Sequence, residues 1–587
     1  MHPTADSLGW SRGNAQDLVR QLEPCNTLSR WGCKIPATRL RLDRQSSTAV
    51  ANPAFLDRRS PVFAGRAMAS SSSPLVTRVG LQVLEQGGNA ADAAVAMAGM
   101  LALAEPMMSG LGGDTMVLVW SAKDQKVFGL NGSGRAPSGA SLERIGSVPV
   151  MPEHGAASVT IPGAVDGWCA LLERFGTRSL QQLWEPVIAY AREGYPVGES
   201  IAGFWGLGAA LMGQSASAQL REAFLPNGTA PQPGQLMRLP QLADTLERVA
   251  REGRQGLYEG AVAEAIASTI SAGGVPTTMA DVAAQQHAAE WVEPLSVGFR
   301  GREVLGMPPN CQGVVALHAL GILDGLPLAA MDEAERLHHQ IEAIRLGFEL
   351  AIDVVGEPTP AMLEQLRQEL SPPGLASARS RITAQARPAT RPQGGNSGDT
   401  SYVCAVDGEG NAVSLMTSIC GLFGSGLVAG GTGIVLNNRA AQFSSQPGHP
   451  NALAPGHRPR HSILPAMVLR DGLPEVVMGV IGGNAHPQGL TQILVNALDL
   501  GMNPQQAVDA PRFKLIMQSG AVHIDPQFNP EVGHELVARG HQLGESYGFI
   551  AFKGGAQMVR IHRDGSGRCT SLEAGVDHRL DGVALGF

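Results

Sequence analysis

GDTSYVCAVDGEGNAVSL, residues 398–415, is the stretch that decides the fold. Two short apolar runs flank the turn sequence DGEGN (407–411), the pattern of a β-hairpin. The segment ahead of it, SARSRITAQARPATRPQGGNSGDT (377–400), is rich in Arg, Pro, Gly, Ser and Thr and reads as an exposed loop. A flexible linker therefore delivers Asp399 to Thr400, which opens a core strand.

A threonine hydroxyl is a poor nucleophile unless a base takes its proton, and the free α-amino group of the same residue can be that base. Such an amine titrates at about 7.7–8.0, so it is partly neutral near physiological pH. Thr400 acquires the amine only if the Asp399–Thr400 bond is cut. Self-cleavage is the consistent reading: the hydroxyl attacks the preceding carbonyl and the resulting ester hydrolyses. Taken alone, Gly-Asp-Thr at a strand start is also an ordinary turn. The oxyanion formed in such chemistry needs preorganised N–H donors. VVMGVIGGNAHPQ (476–488) sets Gly482 and Gly483 directly after an apolar run, as an oxyanion hole or as a turn that needs positive φ.

Around this centre the chain alternates strand and helix patterns. Phe63–Ser73 is small and strand-like, Leu75–Gln86 has helical spacing, and Asn89 can cap a second helix over Ala90–Ala104. SGLGGD (109–114) is a glycine turn leading into the strand MVLVW, and Leu337–Val355 reads as an amphipathic helix. Val413–Thr417 and Val476–Val480 have the apolar continuity of buried strands.

Of 587 residues, 44% are apolar and 16% charged, with a formal charge of −8. That composition predicts a packed core and offers no basic field for nucleic acid. The most apolar helical segment, Ala90–Ala104, carries Asp92 and falls short of the roughly 20 residues of a bilayer span. Seven scattered cysteines without CxxC spacing read as reduced thiols. The opening MHPTADSLGWSRGN lacks the features of a secretory peptide, so a cytoplasmic location is expected, and residues 1–61 read as a loosely ordered extension. Fifteen histidines include no HExxH pair, and the adjacent His338 and His339 point to different faces of a helix. No metal, cofactor, nucleic-acid or membrane partner is expected.

Nine motifs, in order, resemble the γ-glutamyltranspeptidase family: LEQGGNAADAAVA (84–96), EPMMSGLGGD (105–114), VTIPGAVDGW (159–168), MPPNCQG (307–313), HHQIEAIRLGF (338–348), residues 398–415, GTGIVLNN (431–438), IGGNAHPQ (481–488) and MNPQQAVDAPRF (502–513). The resemblance implies an α+β fold, the four-layer αββα sandwich of N-terminal-nucleophile hydrolases. It implies a precursor cut at Asp399–Thr400 into a large subunit, 62–399, and a small one, 400–587, which stay associated. Thr400 would be acylated and the acyl group then released to water or an amine. Ser418 matches the family's second hydroxyl, and Gly482 and Gly483 match its oxyanion glycines.

The acyl pocket departs from the family pattern. The α-carboxylate arginine of true γ-glutamyltranspeptidases has no counterpart in register; LNGSGRAP (130–137) offers Arg135 two places away. The acidic residue that pairs with the substrate α-amino group corresponds to Gln442, a pocket Asn to Cys420, and a Ser-Ser pair to His461 and Ser462. These variants resemble the branch containing oxamate amidohydrolase and certain acylases, with Arg135 a bidentate partner for a small carboxylate or else a surface or interdomain ion pair. His461 either contacts substrate or packs. The expected activity is hydrolysis of a small carboxylate-bearing amide. The alternatives are an authentic γ-glutamyltransferase and glutathione hydrolase, and a non-catalytic binding relative. A homo-oligomer is compatible with all three.

Overall fold

The computed structural model describes residues 59–146, 148–388, 399–544 and 554–587. All of these lie in the compact unit Arg58–Phe587. The extension expected over 1–61 falls, but for its last three residues, outside the described residues.

Two seven-stranded sheets carry the fold. In chain order their strands are β1 (Val62–Ala64), β2 (Met68–Ser71), β3 (Asp114–Ser121), β4 (Lys126–Gly132), β5 (Glu290–Val292), β6 (Leu295–Phe299), β7 (Arg302–Gly306), β8 (Asp399–Val406), β9 (Ala412–Cys420), β10 (Ala466–Arg470), β11 (Leu473–Val480), β12 (Ala556–Arg563), β13 (Cys569–Val576) and β14 (Val583–Gly586). One sheet runs β1-β13-β12-β11-β10-β7-β6 and the other β14-β2-β8-β9-β3-β4-β5.

The expected hairpin is β8–β9, with Tyr402 opposite Met416 and Val406 opposite Ala412. Its turn is shaped by Asp407, whose Oδ1 accepts from the N–H groups of Glu409 and Asn411 at 3.0 and 2.9 Å. Asp407 Oδ2 accepts from Ala90 N at 3.0 Å, tying the turn to the start of a helix.

The helices that cover the sheets are α1 (Pro74–Glu85), α2 (Ala90–Ala104), α3 (Ala164–Phe175), α4 (Val314–Asp324), α5 (Glu333–Val354), α6 (Pro372–Ser380) and α7 (Ala485–Leu498), with further helices between them. The α2 N-terminus is capped as its sequence predicts: Asn89 accepts from Ala91 N and Asp92 N, and Asp92 accepts from Asn89 N. Every residue of α2 is buried. It packs on β8 and β9, with α1 and α3 beside it, while α4 and α7 cover the other sheet. The order is helices, sheet, sheet, helices: the αββα sandwich. Both faces of β8 and β9 are therefore covered, which is why these strands read as continuous apolar runs without period-two alternation. Gly479 of β11 lies where a Cβ would stand 2.4 Å from the Tyr402 ring, so the two sheets touch next to the hairpin.

Two expectations need correction. The segment 377–388 is not simply an exposed loop: its first residues close α6, Ala378 is buried, and Arg387 pairs with Glu349 at 3.2 Å. The linker residues 389–398 lie outside the described residues. Helix α5 is less amphipathic than its sequence suggests, because fifteen of its residues are buried, among them His338, Glu342 and Arg345.

Candidate active site

Thr400 sits at a defect in the hairpin ladder. Asp399 faces Cys420 and Ser401 faces Thr417, so Thr400 alone stands opposite both Ser418 and Ile419, a β-bulge. Its hydroxyl is buried and has no hydrogen-bond partner among the described residues. A buried hydroxyl left so costs about 1–3 kcal/mol, and such groups in native structures ask for a functional reason.

Ser418 supplies part of that reason. Its Oγ receives two hydrogen bonds, from Cys420 N at 2.9 Å and from Arg439 Nη2 at 3.1 Å. A hydroxyl has two lone pairs and one proton. With both lone pairs engaged, the proton is directed to the remaining neighbour, the carbonyl oxygen of Asp399 at 2.7 Å. That carbonyl belongs to the peptide bond preceding Thr400.

Arg439 is fixed in turn. It donates to Ser462 Oγ at 3.1 Å, and its Nε lies 3.3 Å from Asp114 Oδ2, with both partners fully buried. His461 Nε2 also meets Asp114 Oδ2, at 3.0 Å, and Gly134 N donates to Asp114 Oδ1 at 2.7 Å. Burial alone would raise the Asp114 carboxyl, but His461, Arg439 and the Gly134 N–H outweigh it and hold it below the usual carboxylate range. Burial, and then the Arg439 charge, push His461 down to about 4. His461 is thus a neutral, fully buried imidazole bonded to Asp114. The backbones approach closely here: a Cβ on Gly113 would lie 2.4 Å from the Ser418 carbonyl oxygen.

Gly482 and Gly483 follow β11 with φ of 113° and 60°, conformations that favour glycine, and lead into α7. Gln312 Nε2 lies 3.4 Å from Ser462 O and 3.5 Å from Gly483 O, linking this turn to the Arg439 cluster. His486, in the first turn of α7, donates through Nδ1–H to Ser462 O at 2.9 Å and is held neutral, pushed down to about 3 by burial.

The remaining pocket candidates separate. Gln442 Oε1 accepts from Arg460 Nη2 at 2.6 Å, and Arg460 is buried within the electrostatic reach of Cys420 and Arg439. Burial lowers the Arg460 guanidinium to about 10. Arg135 is turned elsewhere, to Glu290 at 3.0 Å, Glu357 at 3.1 Å and the Gly456 carbonyl at 2.9 Å. These are ion pairs of the kind that one of the two readings of Arg135 expects.

The order of these elements and residues matches one family. The family profile for γ-glutamyltranspeptidase covers residues 76–587. The chain belongs to the γ-glutamyltranspeptidase family. It is 33% identical to the glutathione hydrolase-like YwrD proenzyme of Bacillus subtilis, over 90% of this chain and 99% of that one. It is also 33% identical to the oxamate amidohydrolase proenzyme of Klebsiella pneumoniae, over 89% and 98%. The crystal structure of cephalosporin acylase from Bacillus halodurans superposes with a TM-score of 0.84, at 36% identity, over 93% of this chain and 99% of that one. The chain is an enzyme, an N-terminal-nucleophile hydrolase of the γ-glutamyltranspeptidase family.

Seen as a γ-glutamyltranspeptidase relative, the chain had several site residues with no individual signal in its sequence. Asp114 ends the glycine turn SGLGGD and Arg439 directly follows GTGIVLNN, so one lay inside a recognised motif and the other beside one; that they pair shows only in three dimensions. One trio of possible metal ligands occurs among the described residues, Asp509, Asp577 and His578, with ligand atoms within 4.8 Å. Arg512 and Arg579 already pair with Asp577, which leaves the trio little need of a cation. Cys169, Cys311, Cys404, Cys420 and Cys569 form no disulfide, while Cys25 and Cys33 lie outside the described residues. His338 bonds His541 at 2.8 Å and His339 bonds the Glu335 carbonyl at 2.9 Å, yet the two rings also meet edge to face with centroids 5.4 Å apart, closer than their expected separation onto different helix faces.

Proposed function

We propose that the chain is a precursor that cuts itself between Asp399 and Thr400, and that the freed Thr400 hydrolyses an amide whose acyl group carries a small carboxylate. The observation that carries the reading is the Ser418 proton aimed at the Asp399 carbonyl oxygen, beside a Thr400 hydroxyl that has no other partner among the described residues. Attack of Thr400 Oγ1 on the Asp399 carbonyl carbon places negative charge on that oxygen, where Ser418 stabilises it. The hydroxyl proton passes to the nitrogen as the C–N bond breaks, so that it leaves as the Thr400 amine, and water hydrolyses the ester, restoring the Thr400 hydroxyl and releasing the Asp399 α-carboxylate. In the mature enzyme that amine takes the hydroxyl proton while Thr400 attacks a substrate amide, with Gly482 and Gly483 as N–H donors to the new oxyanion.

The interleaved topology supports two chains that remain together. Strand β2, from before the cut, lies between β14 and β8, both from after it but for Asp399, and β1 pairs with β13. Separating the products would break both sheets.

For the substrate, Arg460 replaces Arg135 as the carboxylate anchor. A position that is acidic in true γ-glutamyltranspeptidases is here Gln442, and its oxygen receives the Arg460 guanidinium. A substrate ammonium would lack an ion partner at Gln442 and face a guanidinium, whereas a carboxylate would gain one. The test is hydrolysis of oxamate against glutathione, with Thr400→Ala as the blank. Faster turnover of oxamate supports the reading; release of glutamate from glutathione alone returns the enzyme to γ-glutamyl chemistry.

A further inference from the structure

A second buried carboxyl lies next to the nucleophile, outside the cluster around Ser418. Glu105 ends α2 and is fully buried. Its Oε1 accepts from the Ser72 hydroxyl and its Oε2 from the Ser401 hydroxyl, and Ser401 Oγ is also 3.1 Å from Ser109 Oγ. Ser401 is the residue after Thr400. The turn that Glu105 opens holds the partner strand as well: Met108 O accepts from Ile419 N at 2.9 Å, and Met108 N and Ser109 N both bond Glu105 O. One turn thus grips β8 at Ser401, the residue after Thr400, and β9 at Ile419, one of the two residues opposite Thr400.

The consequence rests on the processing proposed above. In the precursor Thr400 is held from both sides by the chain. Once the bond to Asp399 is cut it becomes a strand terminus, and a terminal residue frays unless something ties it down. The first side-chain anchor after the new terminus is the Ser401–Glu105 hydrogen bond. We infer that Glu105, as the carboxylate, is a positioning residue that keeps the mature Thr400 in place through Ser401, and that protonation of Glu105 releases it.

Burial raises this carboxyl from the ordinary range to about 7, against the hydrogen bonds from Ser401 and Ser72, with Asp581 pushing the same way as burial. Asp581, in the turn before β14, is the charged group that acts on it; Ser72, Ser109 and Ser401 are its uncharged polar neighbours. As the carboxylate it accepts from both Ser72 and Ser401. As the acid it carries its own proton, and one of those serines must turn its hydroxyl away.

The experiment follows acylation of the processed small subunit by p-nitrophenyl acetate, read by intact mass as a function of pH. This probe transfers acetyl to Thr400 Oγ1, releases p-nitrophenolate and needs no knowledge of the natural substrate. In the wild-type enzyme both the Thr400 amine and Glu105 must be deprotonated, so below about pH 6 the rate should fall towards a hundredfold per pH unit, against tenfold for a single group. Glu105→Gln cannot titrate and should fall tenfold per unit. Ser401→Ala uncouples Glu105 from Thr400 and should do the same, which keeps the test open if Glu105→Gln does not fold. A Glu105→Gln or Ser401→Ala enzyme that keeps the wild-type slope overturns the inference and leaves the Thr400 reading intact. A wild-type protein with no small subunit overturns both.

Discussion

The Ser418 hydroxyl donates a 2.7 Å hydrogen bond to the carbonyl oxygen of Asp399, the oxygen that would carry charge if Thr400 attacked the bond before it. Removing a preorganised donor of this kind costs about 10²–10³ in rate. Ser418→Ala should therefore process slower than wild type by that order, while Ser418→Thr, which keeps the hydroxyl, should process at a comparable rate. Densitometry of purified precursor over time measures both. Equal rates for Ser418→Ala and wild type would remove Ser418 from the reaction.

Arg439 is buried between Asp114, Ser418 and Ser462. Replacing one partner of a buried ion pair leaves the other charge uncompensated, at about 3–5 kcal/mol. Arg439→Met should lower the Tm and lose activity, because one of the two donors that orient the Ser418 proton is gone. Adding Asp114→Asn to Arg439→Met should recover part of the Tm and none of the activity. Calorimetry and the amide assay separate the two effects.

Arg135 and Arg460 make opposite predictions. Arg135 is partly exposed in ion pairs with Glu290 and Glu357, and such pairs contribute about 0–1 kcal/mol, so Arg135→Ala should leave kcat/KM nearly unchanged. Arg460→Leu should raise KM for a carboxylate substrate by about tenfold or more, the worth of a hydrogen bond to a charged group. Steady-state kinetics on oxamate would contradict the anchor assignment if the two variants exchanged behaviour.

Five buried histidines, His338 among them, set the acid limit of stability. Burial pushes His318 and His461 down to about 4 and His486 and His541 down to about 3, from an unfolded value of about 6.5. Between these values the unfolded chain binds protons that the folded one does not, so stability is full above about pH 6.5 and is lost as pH falls towards 4. Each of these four contributes roughly 1.4 kcal/mol per pH unit in that window. Glu105, raised to about 7, acts in the opposite direction: its contribution is full below its unfolded value and is lost as pH rises through about 7. Asp399, raised to about 6, and Glu342, raised as well, act as Glu105 does, while His338 is lowered like the other imidazoles. Five imidazoles against three carboxyls predict a Tm that falls from pH 6.5 to 5, and a flat Tm there would contradict the buried neutral state of the imidazoles.

Much of this was legible in the chain because local rules and burial agreed. The Asn89–Asp92 capping box, the Asp407 turn and the apolar runs of β9 and β11 all form where their residues predict. The different surroundings of the two arginines were not legible. Arg135 and Arg460 are both arginines beside motifs, and only the folded chain shows that Glu290 and Glu357 engage one while Gln442 receives the other. The Glu105 contact was hidden for a similar reason: it lies 296 residues from Ser401 in sequence and meets it only because α2 packs on β8. The segment 377–388 misled because Arg, Pro and Ser look solvated until Arg387 is seen against Glu349.

The most direct test is intact mass with N-terminal sequencing of the purified protein. The account predicts two chains that co-purify, the smaller beginning Thr-Ser-Tyr-Val at Thr400, with Thr400→Ala remaining a single uncut chain. A wild-type protein that stays uncut under conditions permitting maturation, or a Thr400→Ala variant that is still cut at this bond, would contradict it.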